Sequence, residues 1–205
     1  MQLFLDLDGT VIDSRERLHR LFGDLTQSDA IGFAEYWTLK RSMRSNAWIL
    51  GNRLGYESTK INAFTAHWMD AIEAPEYLAL DSPFPHTPSA LTSLAERGDL
   101  TLVTARQNEA STVDQIARMG LSSYFSRIIV TRQARSKAEA LRGLSVAARD
   151  VFVGDTGSDI LAAREVGAVA VGVLSGFRDR ASLEHYRADG LYDHLGAFAA
   201  THRWT

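Results

Sequence analysis

Cysteine is absent from this 205-residue chain. That excludes a disulfide scaffold, a thiol nucleophile and a Cys-ligated zinc or iron–sulfur site. A basic surplus is missing too. The 22 Lys and Arg face 25 Asp and Glu, giving a formal net charge of −3, so no nucleic-acid partner is expected. No apolar run reaches the roughly 18–20 residues that span a bilayer, so no membrane partner is expected either. The first residues, Met1 to Asp6, meet an acid early and carry no basic stretch, unlike a secretory signal; the expected home is the cytoplasm. With 4 Pro and 15 Gly, a collagen-like or low-complexity chain is ruled out. What is present is ordinary globular composition, 45% hydrophobic and 23% charged. A chain of this length buries roughly 70% of its unfolded surface, enough for a real core.

Short apolar runs read as strands at Leu3–Leu7, Leu100–Thr104, Arg127–Thr131, Asp150–Gly154 and Ala168–Val173. They show little polar alternation, as parallel strands buried on both faces do. Helical patterns with caps lie between the last of them. Thr87-Pro88 places a capping residue before a proline at the first helical position, Asn108 precedes a run that Gly120 stops, and Ser136-Lys137-Ala138-Glu139 is a capping box. Strand alternating with helix predicts a doubly wound, Rossmann-like α/β sheet. The stretch from Ser14 to Phe84 breaks that alternation. Its apolar residues recur at helical spacing (Leu18, Leu21, Phe22, Leu25; Ile31, Ala34, Trp37; Ile61, Phe64, Trp68, Ile72), which predicts about four helices and no strand. Pro83, Pro85 and Pro88 stiffen its exit. The expected organisation is a core of residues 1–13 and 86–205 with an inserted helical cap, 14–85.

Chemistry-bearing residues cluster at predicted strand ends, where ligands bind in such sheets. The first strand runs into Asp6-Leu7-Asp8-Gly9-Thr10. Residues two apart on an extended chain point the same way, so Asp6 and Asp8 can both face the crevice; a solvated acidic turn is equally compatible. The fourth ends in Gly154-Asp155-Thr156-Gly157-Ser158-Asp159. Asp159 suits a helix start on dipole grounds alone, whereas Asp155 leaves a strand interior directly. Converging carboxylates repel unless a cation intervenes, and oxygen ligands suit a hard ion such as Mg²⁺. The second strand ends in Thr104-Ala105-Arg106. The hydroxyl and a free amide there could hold a phosphate oxygen, or Thr104 simply ends a strand. Lys137 sits at a helix start, where the dipole disfavours a cation, so either an anionic partner or solvent accounts for it.

The order D-x-D-G-T, strand-end Thr, Lys, then G-D-x-x-S-D resembles the haloacid dehalogenase-like hydrolase superfamily across the whole chain. The tail, with Val171-Gly172-Val173, Gly176 and Ala188 to Leu195, resembles its phosphoglycolate phosphatase and β-phosphoglucomutase branch, whose helical cap follows the first motif. The resemblance implies a Mg²⁺-dependent phosphatase of a small phosphorylated metabolite. It makes Asp6 the nucleophile that becomes an aspartyl phosphate, and Asp8 the general acid and then base. It places Mg²⁺ on Asp6, the Asp8 carbonyl and Asp155, with Asp159 assisting. Thr104 and the Ala105 amide hold phosphoryl oxygens, and Lys137 neutralises charge. Arg106, where relatives vary, either selects substrate or covers the rim.

Other readings keep the fold. A sugar-phosphate mutase would need a cap that shields the aspartyl phosphate; a phosphonate hydrolase would need a cap lysine at the nucleophile, for which Lys40 and Lys60 are the candidates. A non-catalytic binding module would need neither both acids nor Lys137. Lys40 and Arg44 share a helix face and could meet a second anion or face solvent, His86 could touch substrate or lie in a loop, and Trp37 and Trp48 are expected in the cap core. Oligomeric state is not legible.

Overall fold

The computed structural model describes residues 1–204. Its central sheet is parallel and six-stranded, in the order β5-β4-β1-β6-β7-β8. The strands are β1 (Gln2–Leu5), β4 (Asp99–Thr104), β5 (Phe125–Val130), β6 (Val151–Gly154), β7 (Val169–Val173) and β8 (Gly190–Tyr192). Alternation along the strands divides the core. Leu3 and Leu5 of β1, with Val151 and Val153 of β6, join Leu91 and Leu94 of α6 (Thr87–Ala95), Ile116 of α7 (Glu109–Arg118) and Phe198 of α11 (Leu195–Thr201). On the opposite face Phe4 and Phe152 join Leu141 of α8 (Lys137–Leu141), Ile160 of α9 (Gly157–Val166) and Leu183 of α10 (Arg180–His185). Successive side chains of a strand point to opposite faces, so two helical layers cover one sheet. Strand order reverses between β1 and β6, and the crevice outside their carboxyl ends is where ligands bind in such sheets.

Between β1 and β4 come α1 (Arg15–Thr26), α2 (Phe33–Arg41), α3 (Asn46–Arg53), α4 (Ser58–Ala71) and the one-turn α5 (Pro75–Leu78). They bury a core of their own around Leu21, Phe22, Tyr36, Trp37, Ile49, Leu50 and Phe64. The Phe22 ring packs on Tyr36 at 5.0 Å and Phe64 at 5.7 Å between centroids. Fully burying a side chain of this kind contributes roughly 1.5–3 kcal/mol.

Four features depart from the sequence expectation. The segment has a fifth helix, α5, too short to show a period. It is also not free of strand: β2 (Ile12–Asp13) pairs antiparallel with β3 (Ser82–Pro83), so the chain leaves and re-enters the sheet layer side by side. A further strand, β8, has a Gly-Leu-Tyr too short and too little buried to form an apolar run. Finally, His86 and not Thr87 occupies the position before α6; Thr87 is its first residue and donates its hydroxyl to the Val11 carbonyl at 2.7 Å. Asn108 and Ser136 cap as expected, accepting from the amides of Ser111 and Glu139.

Candidate active site

The turn after β1 is drawn tight. The amides of Thr10, Val11 and Ile12 all donate to the Leu7 carbonyl, at 3.3, 2.9 and 3.0 Å, and Gly9 takes φ +87°, which a side chain would oppose. Asp6 therefore leaves the sheet at the crevice while its amide still donates to Val153 of β6, at 2.9 Å.

Lys137, first residue of α8, reaches into the same crevice. Its Nζ donates to Asp6 Oδ1 at 2.5 Å and to Asp159 Oδ1 at 2.6 Å. Asp159 is held in turn by the α9 capping box, where its Oδ2 accepts from the Thr156 amide at 3.0 Å. Asp155, at the end of β6, accepts from the Phe177 amide at 2.6 Å through Oδ2, while its buried Oδ1 has no donor. Asp6, Asp155 and Asp159 each offer a ligand oxygen, all within 4.8 Å of one another. Three carboxylates against one ammonium leave a formal charge of −2 in a buried place. Burial pushes Asp6 up to about 7 despite Lys137, with Asp159 and Asp8 adding to it. Burial, with Asp6 and Asp159 adding, also raises Asp155 well above the carboxylate range. Lys137 is raised, because its two carboxylates outweigh the cost of burying it. An orphaned buried carboxylate oxygen beside two further acids fits a hard divalent cation, which would supply the missing charge.

Asp8 faces a different set. Its carboxylate accepts from Arg106 Nε at 2.9 Å and Nη2 at 2.8 Å, and from Arg17 Nη2. Burial alone would raise its carboxyl, but the two guanidinium groups hold it well below the usual range. Behind them Asp81 accepts from Arg17 Nε, Arg106 Nη2 and Gln115 Nε2, each at 2.9 Å.

A cavity of about 260 Å³ joins the two clusters. Asp6, Asp8, Thr104, Ala105, Arg106 and Lys137 line it; Asp155 and Asp159 lie buried next to Asp6. Its far wall comes from the helical segment: Leu18 of α1, Trp68 and Met69 of α4, and Ile72. The structure thus gathers the motif residues in one place. Other candidates lie elsewhere. Lys40 Nζ donates to Asn46 at 3.2 Å, while Arg44 and Lys60 cover the rings of Trp48 and Tyr56. His86 stacks between Phe84 and His194, with centroids at 5.4 and 4.1 Å. Trp37 is buried in the helical core, and Trp48 packs at its margin.

The sequence reading missed Arg17, Asp81 and Gln115. Only Arg17 left a trace: it stands one turn before Leu21 on the face whose other positions are apolar. Asp81 and Gln115 come from remote segments, and their meeting is a product of the fold.

The chain is similar to known proteins in sequence and in fold. A sequence profile of the haloacid dehalogenase-like hydrolases matches residues 3–173. A phosphoglycolate phosphatase of Neisseria meningitidis is 34% identical over 107 residues, covering 47% of this chain and 45% of that protein. One of Synechococcus elongatus is 37% identical over 107 residues, covering 49% and 50%. The chain therefore spans about half the length of the curated relatives it matches. Among solved structures, a haloacid dehalogenase-like family hydrolase from Streptococcus pneumoniae superposes with TM-score 0.69 at 21% identity, covering 95% of this chain and 94% of that one. A hydrolase from Pseudomonas syringae does so with TM-score 0.66 at 19% identity, covering 98% and 97%. At those identities the likeness is one of fold. The profile, however, spans most of the sequence and takes in Asp6, Asp8, Thr104, Lys137, Asp155 and Asp159: this chain belongs to the haloacid dehalogenase-like hydrolase family.

Proposed function

We propose that the protein is a Mg²⁺-dependent phosphatase that hydrolyses a small phosphomonoester through a phosphate ester of Asp6. The observation that carries this reading is the pairing of Lys137 with both Asp6 and Asp159, next to the donorless oxygen of Asp155. Such a set concentrates negative charge at and just behind the cavity wall formed by Asp6 and Lys137, which suits a site where a cation and a phosphoryl group meet. The phosphatase relatives support the reaction class, and phosphoglycolate, the substrate in their names, belongs on any panel tested.

Asp6, the Asp8 carbonyl and Asp155 would hold Mg²⁺, with Asp159 assisting; bound there, the ion supplies charge that draws the phosphoryl group to a carboxylate. Asp8, once clear of the two guanidinium groups, takes up a proton from solvent. The free Asp6 oxygen attacks phosphorus, the bond from phosphorus to the alkoxy oxygen breaks, and Asp8 passes that proton to the departing oxygen. Water then attacks the phosphorus of the acyl phosphate, passes a proton to Asp8, and inorganic phosphate leaves as the Asp6–phosphorus bond breaks. Thr104 and the Ala105 amide, at the end of β4, hold two phosphoryl oxygens, and Lys137 counters the charge that builds on them. Residues 14–85 act as the cap that encloses the substrate over the core of 1–13 and 86–205. The small cavity suits a substrate with few atoms beyond its phosphate. No lysine of the helical segment lines the cavity among the described residues, which counts against phosphonate hydrolysis.

The test is phosphate release from a panel of small phosphomonoesters. Release should require Mg²⁺, stop with a chelator and disappear in Asp6→Asn. Full activity after demetallation, or in Asp6→Asn, contradicts the reading.

A further inference from the structure

We propose that Arg17 and Arg106 form an anion-exchange gate, in which a second oxyanion of the substrate, a carboxylate, replaces Asp8 between the two guanidinium groups and so frees Asp8 to reach the leaving oxygen. The inference rests on the phosphatase reading and adds the chemical class of the substrate.

Both arginines line the cavity, yet each side chain is only 4% exposed. Every guanidinium nitrogen of the pair donates at least one hydrogen bond. Arg17 gives Nε to Asp81 at 2.9 Å, Nη1 to the Ile72 carbonyl at 3.0 Å and Nη2 to Asp8. Arg106 gives Nε to Asp8, Nη2 to both Asp8 and Asp81, and Nη1 to Gln115. The quartet is neutral: two cations against Asp8 and Asp81. Asp81 accepts three N–H groups, which favour its charged form, although burial raises its carboxyl. Its two partners are not equally fixed, however. The Asp81 side chain is 0% exposed and gripped from three segments, whereas that of Asp8 is 20% exposed and borders the cavity. Asp8 is therefore the exchangeable ligand.

In this position both Asp8 oxygens are occupied by guanidinium N–H groups, and proton transfer to a substrate requires the carboxylate to turn away. Turning away alone leaves two buried cations facing one acid, and withdrawing one partner from a buried ion pair is the costly operation. An incoming oxyanion cancels the net positive charge as Asp8 departs. Arg106 already holds Asp8 in the two-pronged manner that matches a carboxylate, so a substrate carboxylate fits the same fork. Among the described residues these arginines and Lys137 are the cations lining the cavity; its cap-side wall is otherwise apolar except for Glu73, whose carboxylate accepts from the amides of Gln107 and Asn108. Its small volume puts the second anion within a few bonds of the phosphate. The substrate class is a short alkyl phosphate bearing a carboxylate, and Arg17 and Arg106 determine specificity for it.

The experiment measures kcat and KM of the wild-type enzyme with Mg²⁺ on three alkyl phosphates: 2-phosphoglycolate, its neutral amide, and ethyl phosphate with and without added acetate. The acid should exceed the amide by about 100-fold, mostly in kcat, because the carboxylate acts by freeing Asp8 and not only by binding. Acetate should raise turnover of ethyl phosphate saturably. Arg17→Gln should bring the acid-to-amide ratio near one, and Arg17→Lys should restore part of it. Equal kcat on acid and amide, or a preference confined to KM, overturns the gate while leaving the phosphatase reading intact. So does full turnover of ethyl phosphate without acetate, which would assign the exchange to the transferring phosphoryl group. Phosphate release from none of the three overturns both. The wild-type comparison decides even where Arg17→Gln does not fold.

Discussion

Lys40 is a lysine in a place that gives it little reason to be charged. Its ammonium has one hydrogen-bond acceptor, Asn46, and no carboxylate partner among the described residues, while Arg178 donates to its own carbonyl at 2.9 Å. Burial, helped by Arg178, pulls it down to about 8. A lysine whose pKa is lower folded than unfolded penalises the fold wherever it must be charged. The penalty is complete below about pH 8 and fades as the pH rises to 10.5, where the unfolded chain also loses the proton. Lys40→Met should therefore stabilise the protein at pH 7 by about 1–2 kcal/mol, allowing for partial exposure, and by little at pH 10.5. Urea unfolding at the two pH values measures this. An equal gain at both would assign it to the added apolar contact instead. Lys40 also shows how far residue-level reading goes: from sequence it could meet a second substrate anion together with Arg44, or serve a phosphonate hydrolase as Lys60 could, and only packing reveals that it donates to Asn46.

At the scale of elements, three chain segments converge on Asp155: the end of β6, the turn at Gly9 and the loop after β7. The two loops can approach only because glycine stands in each. A Cβ on Gly176 would lie 2.1 Å from Asp155 Oδ2, and one on Gly9 would lie 2.6 Å from it. Gly176→Ala should displace the carboxylate and weaken Mg²⁺ binding about 10–100-fold, the usual cost of disturbing the support of a metal ligand. Titration of activity with Mg²⁺, paired with calorimetry of Mg²⁺ binding, reads the change; unaltered affinity would mean that Asp155 does not hold the ion. Legibility at this scale followed local chemistry. The five longest strands were visible because each carries a run of apolar residues, even β5, where Ser126 and Arg127 are exposed, and the capping of α7 and α8 because Asn108 and Ser136 act on their own neighbours. β2 and β3 were not, since two-residue strands exist only through each other. Nor was α5, a single turn, or the start of α6, because Thr87 finds a distant acceptor on Val11.

Across the whole molecule the functional groups fall into two charge clusters on either side of one cavity. Asp6, Asp155, Asp159 and Lys137 carry net negative charge; Asp8, Asp81, Arg17 and Arg106 are balanced. The first was legible in the sequence, because its acids end strands or begin a helix and resemble a known motif set. Of the second, Asp8 and Arg106 were legible beside their strand-end motifs, but Arg17 and Asp81 were not, because they come from α1 and from the approach to β3 and nothing local links them to the other two. This arrangement gives Asp6 and Asp8, two residues apart, opposite surroundings, with Asp6 raised by burial and Asp8 lowered by its arginines. The proposed division, in which one attacks and the other moves protons, therefore requires a cation at Asp6 and release of Asp8 from Arg17 and Arg106. Millisecond acid quench during turnover, followed by peptide mass spectrometry, tests that division most directly. Wild-type enzyme should carry its phosphoryl group on Asp6 alone. Asp8→Asn should accumulate it there, because its hydrolysis loses a general base worth roughly 10²–10⁴-fold. A phosphoryl group on any other residue, or undiminished turnover without one on Asp6, would contradict the assignment.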